Sequence, residues 1–199
     1  MMDWFDEAFA TTQVMVIMRG LDAAASLHLA GRAWDAGVRM VEIPIQRFAA
    51  VEALTVVAAA AKDRGLVAGA GTVLTVEQVD VARRAGAAYT VSPGTDDDVI
   101  RASLAAGLPT LPGVATASDI QRCARLGLNW LKAFPAASLG PAWITAMHGP
   151  FPDVRFGATG GICVTNAPDF LAAGARVVAL GSALRDPAQL DALAKLAPR

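Results

Sequence analysis

A lysine inside a strongly apolar segment is the first feature of this sequence that suggests chemistry. Lys132 lies in the run Trp-Leu-Lys-Ala-Phe-Pro at residues 130–135. Burying a lysine in a strand is unfavourable unless the amine is paired or neutral. Because loss of hydration lowers the pKa of an amine, burial favours the neutral form, which attacks a ketone to give a Schiff base. The sequence leaves open the alternative of a lysine whose ammonium group reaches solvent at a strand end.

Glu42 has a similar setting, in the run Met-Val-Glu-Ile-Pro-Ile at residues 40–45. A carboxylate within an apolar strand is commonly half of a structural ion pair. Beside a lysine imine, a buried carboxyl group can instead move protons while a carbon–carbon bond breaks. Glu42 is therefore a candidate general acid/base.

Two glycine-containing segments predict a binding site for an anion. Thr159-Gly160-Gly161 follows one apolar run, and Gly181-Ser182 follows the next. Glycine lets backbone N–H groups approach a phosphate closely, and a helix N-terminus nearby adds a favourable field. Plain turn chemistry is the alternative, because glycine is common after strands.

Two further polar residues follow apolar runs. Arg19 ends the first run and offers two parallel donors to a carboxylate, and Thr72 adds a hydroxyl after the glycine-containing segment 69–71. Each also has an ordinary explanation, as a surface arginine or a capping threonine. The sequence has no His, Asp, Glu or Cys cluster with the spacing of a metal site, which argues against a metal-dependent mechanism.

The elements that would position these residues form a regular series. Eight strand-like runs alternate with Ala-rich helical runs, which predicts a (β/α)8 TIM barrel in one domain over residues 1–199. The strands are predicted at 14–19, 40–45, 67–70, 88–92, 109–111, 130–134, 154–158 and 176–180. The helices are predicted to begin near Asp22, Ala49, Thr75, Asp96, Thr116, Pro141, Asn166 and Pro187. An open doubly wound sheet is the alternative, but no nucleotide-binding glycine motif follows the first strand.

Such a barrel would bring the candidate residues together. Active sites of this fold lie at the carboxyl ends of the strands, and phosphate often binds after strands seven and eight, where the two glycine segments fall. Glu42 is on the second predicted strand and Lys132 on the sixth. Because inward side chains of alternate strands share a layer, we expect these two to meet across the interior.

The segment before the first strand carries Trp4, Phe5 and Phe9 among acidic residues. This pattern predicts a short amphipathic helix that closes the bottom of the barrel. A helix that binds a partner protein is the alternative.

Composition excludes several classes of protein. The 199 residues are 54% hydrophobic, yet no uninterrupted apolar stretch reaches the length of about 18 residues that a membrane helix needs. Acidic residues near the N-terminus argue against an export signal. Cys123 and Cys163 have no paired spacing, so a reducing, cytoplasmic location is expected. A net charge of −1 without a basic patch argues against a nucleic-acid partner.

Several motifs resemble, in order and over nearly the whole chain, those of the 2-keto-3-deoxy-6-phosphogluconate and 6-phosphogalactonate aldolases. They are VIMRG, VEIP, GAGTVLTVEQ, AGAAYTVSPG, LPGVATASD, LKAFPA, GPFPDVRFGATGGI and ALGSAL. The resemblance implies a (β/α)8 barrel, commonly a homotrimer, without metal or organic cofactor. It also implies a class I aldolase that cleaves a phosphorylated 2-keto acid to pyruvate and glyceraldehyde 3-phosphate.

The same resemblance assigns roles to residues. It implies that Lys132 forms the Schiff base and that Glu42 is the general acid/base. It further implies two groups of substrate-binding residues, a keto-acid group (Arg19, Thr72 and Phe134) and a phosphate group (Gly160, Gly161, Gly181 and Ser182).

The sequence departs from the gluconate-type enzymes after the second strand. Those enzymes carry E-V-T-L-R-T, whose arginine contacts substrate, whereas Gln46 stands in that place here and is followed by Arg47. At strand spacing, Arg47 is expected to point to the other side. The segments EIPI, VATASD and FPAASLGPAWI are more similar to the galactonate branch and favour the 6-phosphogalactonate epimer.

Two other functions are compatible with the same fold and phosphate loops. One is a phosphosugar isomerase or synthase in which Lys132 is merely structural. The other is a barrel that binds a phosphorylated ligand without catalysis.

Overall fold

The computed structural model describes residues 4–181 together with Leu184, Gln189, Ala192, Leu193 and Leu196. Ser182 and the helix predicted to begin near Pro187 lie outside these residues.

In the described part of the chain, nine short strands form one parallel sheet, in the order β5-β4-β3-β2-β1-β9-β8-β7-β6. Buried apolar side chains dominate them, as expected for a parallel sheet covered by helices. The strands are β1 (Val14–Ile17), β2 (Met40–Pro44), β3 (Val67–Gly71), β4 (Thr90–Val91), β5 (Thr110–Leu111), β6 (Gly113–Val114), β7 (Trp130–Ala133), β8 (Arg155–Thr159) and β9 (Val177–Leu180).

The strand predicted at 109–111 continues past Pro112, which divides it into two segments. Pro112 alone separates β5, which pairs with β4, from β6, which pairs with β7. Proline has no N–H to donate, so the hydrogen-bond ladder is interrupted there. The Pro112 carbonyl still accepts a hydrogen bond from the Lys132 amide at 2.8 Å. The two segments therefore act as one strand of eight, and the predicted (β/α)8 barrel is confirmed.

Helices follow the strands around the barrel. They are α1 (Trp4–Ala8), α2 (Ala23–Asp35), α3 (Phe48–Asp63), α4 (Val76–Arg84), α5 (Asp97–Ala105), α6 (Ala117–Arg125), α7 (Ala136–Leu139), α8 (Pro141–His148) and α9 (Ala167–Ala172). Seven predicted helix starts fall within a residue or so of those observed; α7 was not predicted, because four residues carry no periodic pattern. No helix of the described residues is long and apolar enough to cross a membrane.

Helix α1 closes the end of the barrel where the strands begin, as predicted. Phe5 is buried, with ring centroids 6.0 Å from Tyr89 and 6.1 Å from Trp130. The Asp6 carboxylate accepts a hydrogen bond from the Trp130 indole at 3.0 Å and pairs with Arg155 at 3.0 Å. The apolar face of this helix is thus used within the chain, and the open end of the barrel is the opposite one.

Candidate active site

Lys132 lies within the barrel, on β7. Its side chain is only 2% exposed. Its register neighbours on the two adjacent strands are both glycines, Gly113 on β6 and Gly157 on β8. The Nζ atom lies 4.9 Å from the centroid of the half-buried Phe134 ring. The predicted buried lysine is therefore confirmed, and the alternative of an ammonium group in solvent is wrong.

Glu42, on β2, is fully buried, and neither carboxylate oxygen has a hydrogen-bond partner among the described residues. Burial raises its pKa, although the charges of Lys132 and Arg19 act in the opposite direction. Burial likewise lowers the pKa of Lys132, the Glu42 charge opposes that shift, and the Arg19 charge adds to it. The two groups thus interact across the interior, and both shifts favour the uncharged forms. These are the forms that a nucleophilic amine and a proton donor require.

Gly71 makes space for the carboxyl group of Glu42. A Cβ atom built on this residue would overlap the Glu42 carboxylate. The next residue, Thr72, is buried and has a φ of 54°, a conformation unusual for a β-branched side chain. Unfavourable backbone conformations of this kind are often retained at functional sites.

Arg19 is tied to two neighbouring chain segments above the strands. Its Nη1 donates to Gln46 Oε1 at 2.5 Å, and its Nη2 donates to Thr72 Oγ1 at 3.5 Å. Arg47, the next residue along, precedes α3 with an extended backbone and an exposed side chain. The guanidinium group near the site therefore comes from Arg19.

One cavity of about 340 Å³ brings most of the predicted residues together. Seven of them line it: Arg19, Lys132, Phe134, Thr159, Gly160, Gly161 and Gly181. Glu42 and Thr72 lie outside its lining; Thr72 is linked to it through Arg19 and Glu42 through its charge interaction with Lys132. Ser182 lies outside the described residues.

The glycine segment after β8 has the conformation that glycine permits. Gly160 and Gly161 have φ values of 92° and 77°. A Cβ atom would lie 3.0 Å from the Phe134 ring in the first case and 2.5 Å from Ala137 Cβ in the second. Beside them, the buried Thr159 hydroxyl has no hydrogen-bond partner in the described chain. A buried hydroxyl without a partner is costly, so its placement at the cavity favours a ligand contact.

Sequence reasoning did not predict the apolar side of this cavity. The residues concerned are Ile17, Met18, Leu21, Leu29, Ile162, Ala179 and Leu184. In the sequence these residues look like ordinary core positions. The signal that could have identified them is that several lie next to the predicted polar residues along the chain. No group of three or more His, Cys, Asp or Glu side chains in the described ranges could hold a metal ion.

In this parallel barrel, an amine and a carboxylic acid side chain are buried at the carboxyl ends of the strands. Such an arrangement is typical of enzymes that bind carbonyl compounds as lysine imines. Comparison with known proteins identifies the family. The family model described as "KDPG and KHG aldolase" matches residues 5–196, so this chain belongs to that aldolase family.

Individual relatives support this family assignment. The chain is 36% identical to a 2-dehydro-3-deoxy-phosphogluconate aldolase of Treponema pallidum, over 92% of this chain and 86% of the relative. It is also 36% identical to a probable 2-dehydro-3-deoxy-6-phosphogalactonate aldolase of Rhizobium meliloti, over 87% and 82%. The crystal structure of the KDPG aldolase from Legionella pneumophila, with pyruvate captured as a covalent carbinolamine intermediate, superposes with a TM-score of 0.84 at 28% identity, over 96% and 94%.

Proposed function

We propose that this chain is a class I aldolase that cleaves a 2-keto-3-deoxy-6-phospho sugar acid to pyruvate and D-glyceraldehyde 3-phosphate. The observation that carries the proposal is the buried Lys132 amine, which opens into the cavity and interacts with the Glu42 carboxyl group. This arrangement supports a reaction in which an amine adds to a ketone and a neighbouring group moves protons.

In the first half of the reaction, the neutral Lys132 amine attacks the C2 ketone and water leaves, which gives a protonated imine. The lowered pKa of Lys132 increases the fraction of amine that can attack. The iminium ion then accepts the electron pair released when the C3–C4 bond breaks. No metal or organic cofactor takes part in this scheme.

Glu42 carries the protons from the cleavage of the C3–C4 bond onwards. Its carboxylate, directly or through a water molecule, removes the proton of the C4 hydroxyl as the C3–C4 bond breaks and the aldehyde leaves. The pyruvate enamine that remains on Lys132 is protonated at C3, and hydrolysis of the imine restores the amine. The raised pKa of Glu42 suits a group that must both accept and return a proton.

We assign the polar groups around the cavity to two ends of the substrate. Arg19 binds the carboxylate next to the ketone, and Thr72 supports it from the neighbouring segment. Phe134 packs beside the imine, since its ring already lies 4.9 Å from the amine nitrogen. The Thr159 hydroxyl donates to an oxygen of the bound sugar acid.

The phosphate group binds to the backbone of the segments after β8 and β9. Gly160, Gly161 and Gly181 line the cavity, and Ser182 follows directly in the chain. Glycine keeps these N–H groups accessible to an anion. Among the described residues that line the cavity, Arg19 and Lys132 are the cationic side chains, and both are assigned to the keto-acid end.

The preferred epimer is proposed to be 6-phosphogalactonate, from the EIPI, VATASD and FPAASLGPAWI segments. One relative of each kind is 36% identical to this chain over most of its length, so the proposal rests on these segments. Side-by-side measurement of kcat/KM for the two epimers tests this assignment. A higher value for the gluconate epimer would contradict it.

We further propose a cytoplasmic homotrimer. Phe48, 91% exposed, follows β2, while Leu74 and Val76, 52% and 44% exposed, follow the neighbouring β3. Because the two segments follow neighbouring strands, we propose that these side chains form one apolar patch, a feature typical of surfaces that another subunit covers. Light scattering on the purified protein is expected to give three times the mass of one chain, and a monomer would contradict the proposal.

The reaction itself is tested by trapping. Sodium borohydride reduces an imine between pyruvate and a lysine to a stable secondary amine. Wild-type protein is expected to gain one pyruvate-derived group, and Lys132→Met none, because a thioether cannot form an imine. A wild type that is not modified would favour an isomerase or a binding protein instead.

A further inference from the structure

Gln46 contacts the site through another side chain. It lies just beyond β2, four residues after Glu42, and is exposed. Its Oε1 atom accepts the 2.5 Å hydrogen bond from Arg19 Nη1. Because Arg19 Nη2 also donates to Thr72 at 3.5 Å, the guanidinium group is held between segments that follow β1, β2 and β3.

The orientation of Arg19 matters because it lines the same cavity as Lys132. An arginine on an exposed segment has many rotamers, and binding of a carboxylate requires most of them to be given up. A hydrogen bond to one terminal nitrogen removes part of that cost before the substrate arrives. The N–H groups that Gln46 does not use remain available to the substrate carboxylate.

The neutral amide suits this task better than a charged side chain. A glutamate at position 46 would pair with Arg19 and compete with the substrate carboxylate, and an arginine would repel it. A glutamine fixes the guanidinium group and leaves its charge in place. That charge also lowers the pKa of both Lys132 and Glu42, which increases the reactive fraction of the amine.

We infer that Gln46 is a positioning residue, which holds the Arg19 guanidinium group in the orientation that binds the carboxylate of the keto acid. The inference rests on the role proposed above for Arg19. Gln46 itself touches neither the substrate nor the reacting atoms in this scheme.

The test compares two ketones, pyruvate and acetone, in borohydride trapping on Lys132. Acetone forms the same kind of imine but has no carboxylate. Gln46→Ala is expected to raise the half-saturating pyruvate concentration about 3- to 10-fold, the effect of one net hydrogen bond, and to leave acetone trapping unchanged. Gln46→Glu is expected to raise it at least as much, because its carboxylate competes for Arg19.

Arg47→Ala is the matched control, since Arg47 is the next residue, is exposed, and lies outside the cavity lining. It is expected to behave as wild type with both ketones. Equal losses with pyruvate and acetone in Gln46→Ala would mean that Gln46 only supports the local fold, and would overturn the inference.

Arg19→Ala separates failure of this inference from failure of the proposed function. We expect it to raise the half-saturating pyruvate concentration more than Gln46→Ala does, and the double variant to match Arg19→Ala alone. If Arg19→Ala has its effect but Gln46→Ala behaves as wild type, or if the two effects add, the positioning role is wrong and the proposed function stands. If Arg19→Ala binds pyruvate as wild type does, the proposed carboxylate site is itself wrong.

Discussion

Replacement of Glu42 by glutamine removes the proton-transferring group with little change in shape. Glu42 is fully buried, and neither carboxylate oxygen has a hydrogen-bond partner among the described residues, so the substitution breaks no bond of that part of the fold. Any loss of activity should therefore come from the missing proton transfer and not from a change in the fold. General acid/base catalysis typically contributes about two to four orders of magnitude, so we expect kcat to fall by roughly that factor, or about 3 to 5 kcal/mol in activation free energy.

The same substitution should leave imine formation active and move its pH dependence in a known direction. The Glu42 charge raises the pKa of Lys132 against the larger effect of burial, and the Arg19 charge lowers it. Without the carboxylate, the pKa of Lys132 falls further. Since only the amine deprotonated above its pKa can attack, the pH midpoint of pyruvate trapping should move to lower values in Glu42→Gln.

The assay pairs steady-state cleavage, followed by release of pyruvate, with borohydride trapping across a pH series. Unfolding temperatures of wild type and Glu42→Gln check that both proteins are folded. Near-normal kcat in this variant would show that another group moves the protons. A trapping midpoint that moves to higher pH would refute the proposed charge interaction between Glu42 and Lys132.

Two glycine substitutions test the remaining geometry. Gly161→Val should raise KM for the phosphorylated substrate strongly and change cleavage of a non-phosphorylated analogue little. Gly127→Val controls for backbone strain alone, because Gly127 also has a positive φ but has nothing within 4 Å of its Cβ position. Equal loss of activity on both substrates in Gly161→Val would contradict the phosphate role. Gly71→Ala should displace the Glu42 carboxylate and lower kcat while pyruvate trapping continues. Its control is Gly31→Ala, in α2 with open space around the Cβ position, which should keep full activity and stabilise the fold by about 0.5 to 1 kcal/mol in denaturant titration. Full activity in Gly71→Ala would show that Glu42 does not need this space.

The barrel and the two central residues could be predicted from the sequence for a physical reason. Burying a charged residue in an apolar strand is unfavourable, so Lys132 and Glu42 could be predicted as functional residues without knowledge of how the strands are arranged. The alternation of strand and helix then fixed their relative places, because strands two and six of an eight-stranded barrel face each other. Their burial, and the interaction of their charges, agree with that expectation.

Other features depend on three-dimensional contacts that carry no periodic signal. The break at Pro112 follows from a missing N–H within a strand that pairs on both sides, and the pattern of apolar residues alone predicted a strand that ended before it. The hydrogen bond between Gln46 and Arg19 joins residues 27 positions apart through two flexible side chains. The sequence could place both near the barrel mouth but could not predict which rotamers meet.

The most direct test of the proposed chemistry is the position of the trapped pyruvate. After borohydride reduction with pyruvate, peptide mapping by mass spectrometry should find one carboxyethyl group, on Lys132, and none on Lys132→Met. The sequence contains two other lysines, Lys62 and Lys195, and neither should be labelled. A label on either of them, or equal labelling of wild type and Lys132→Met, would contradict a Schiff base on Lys132.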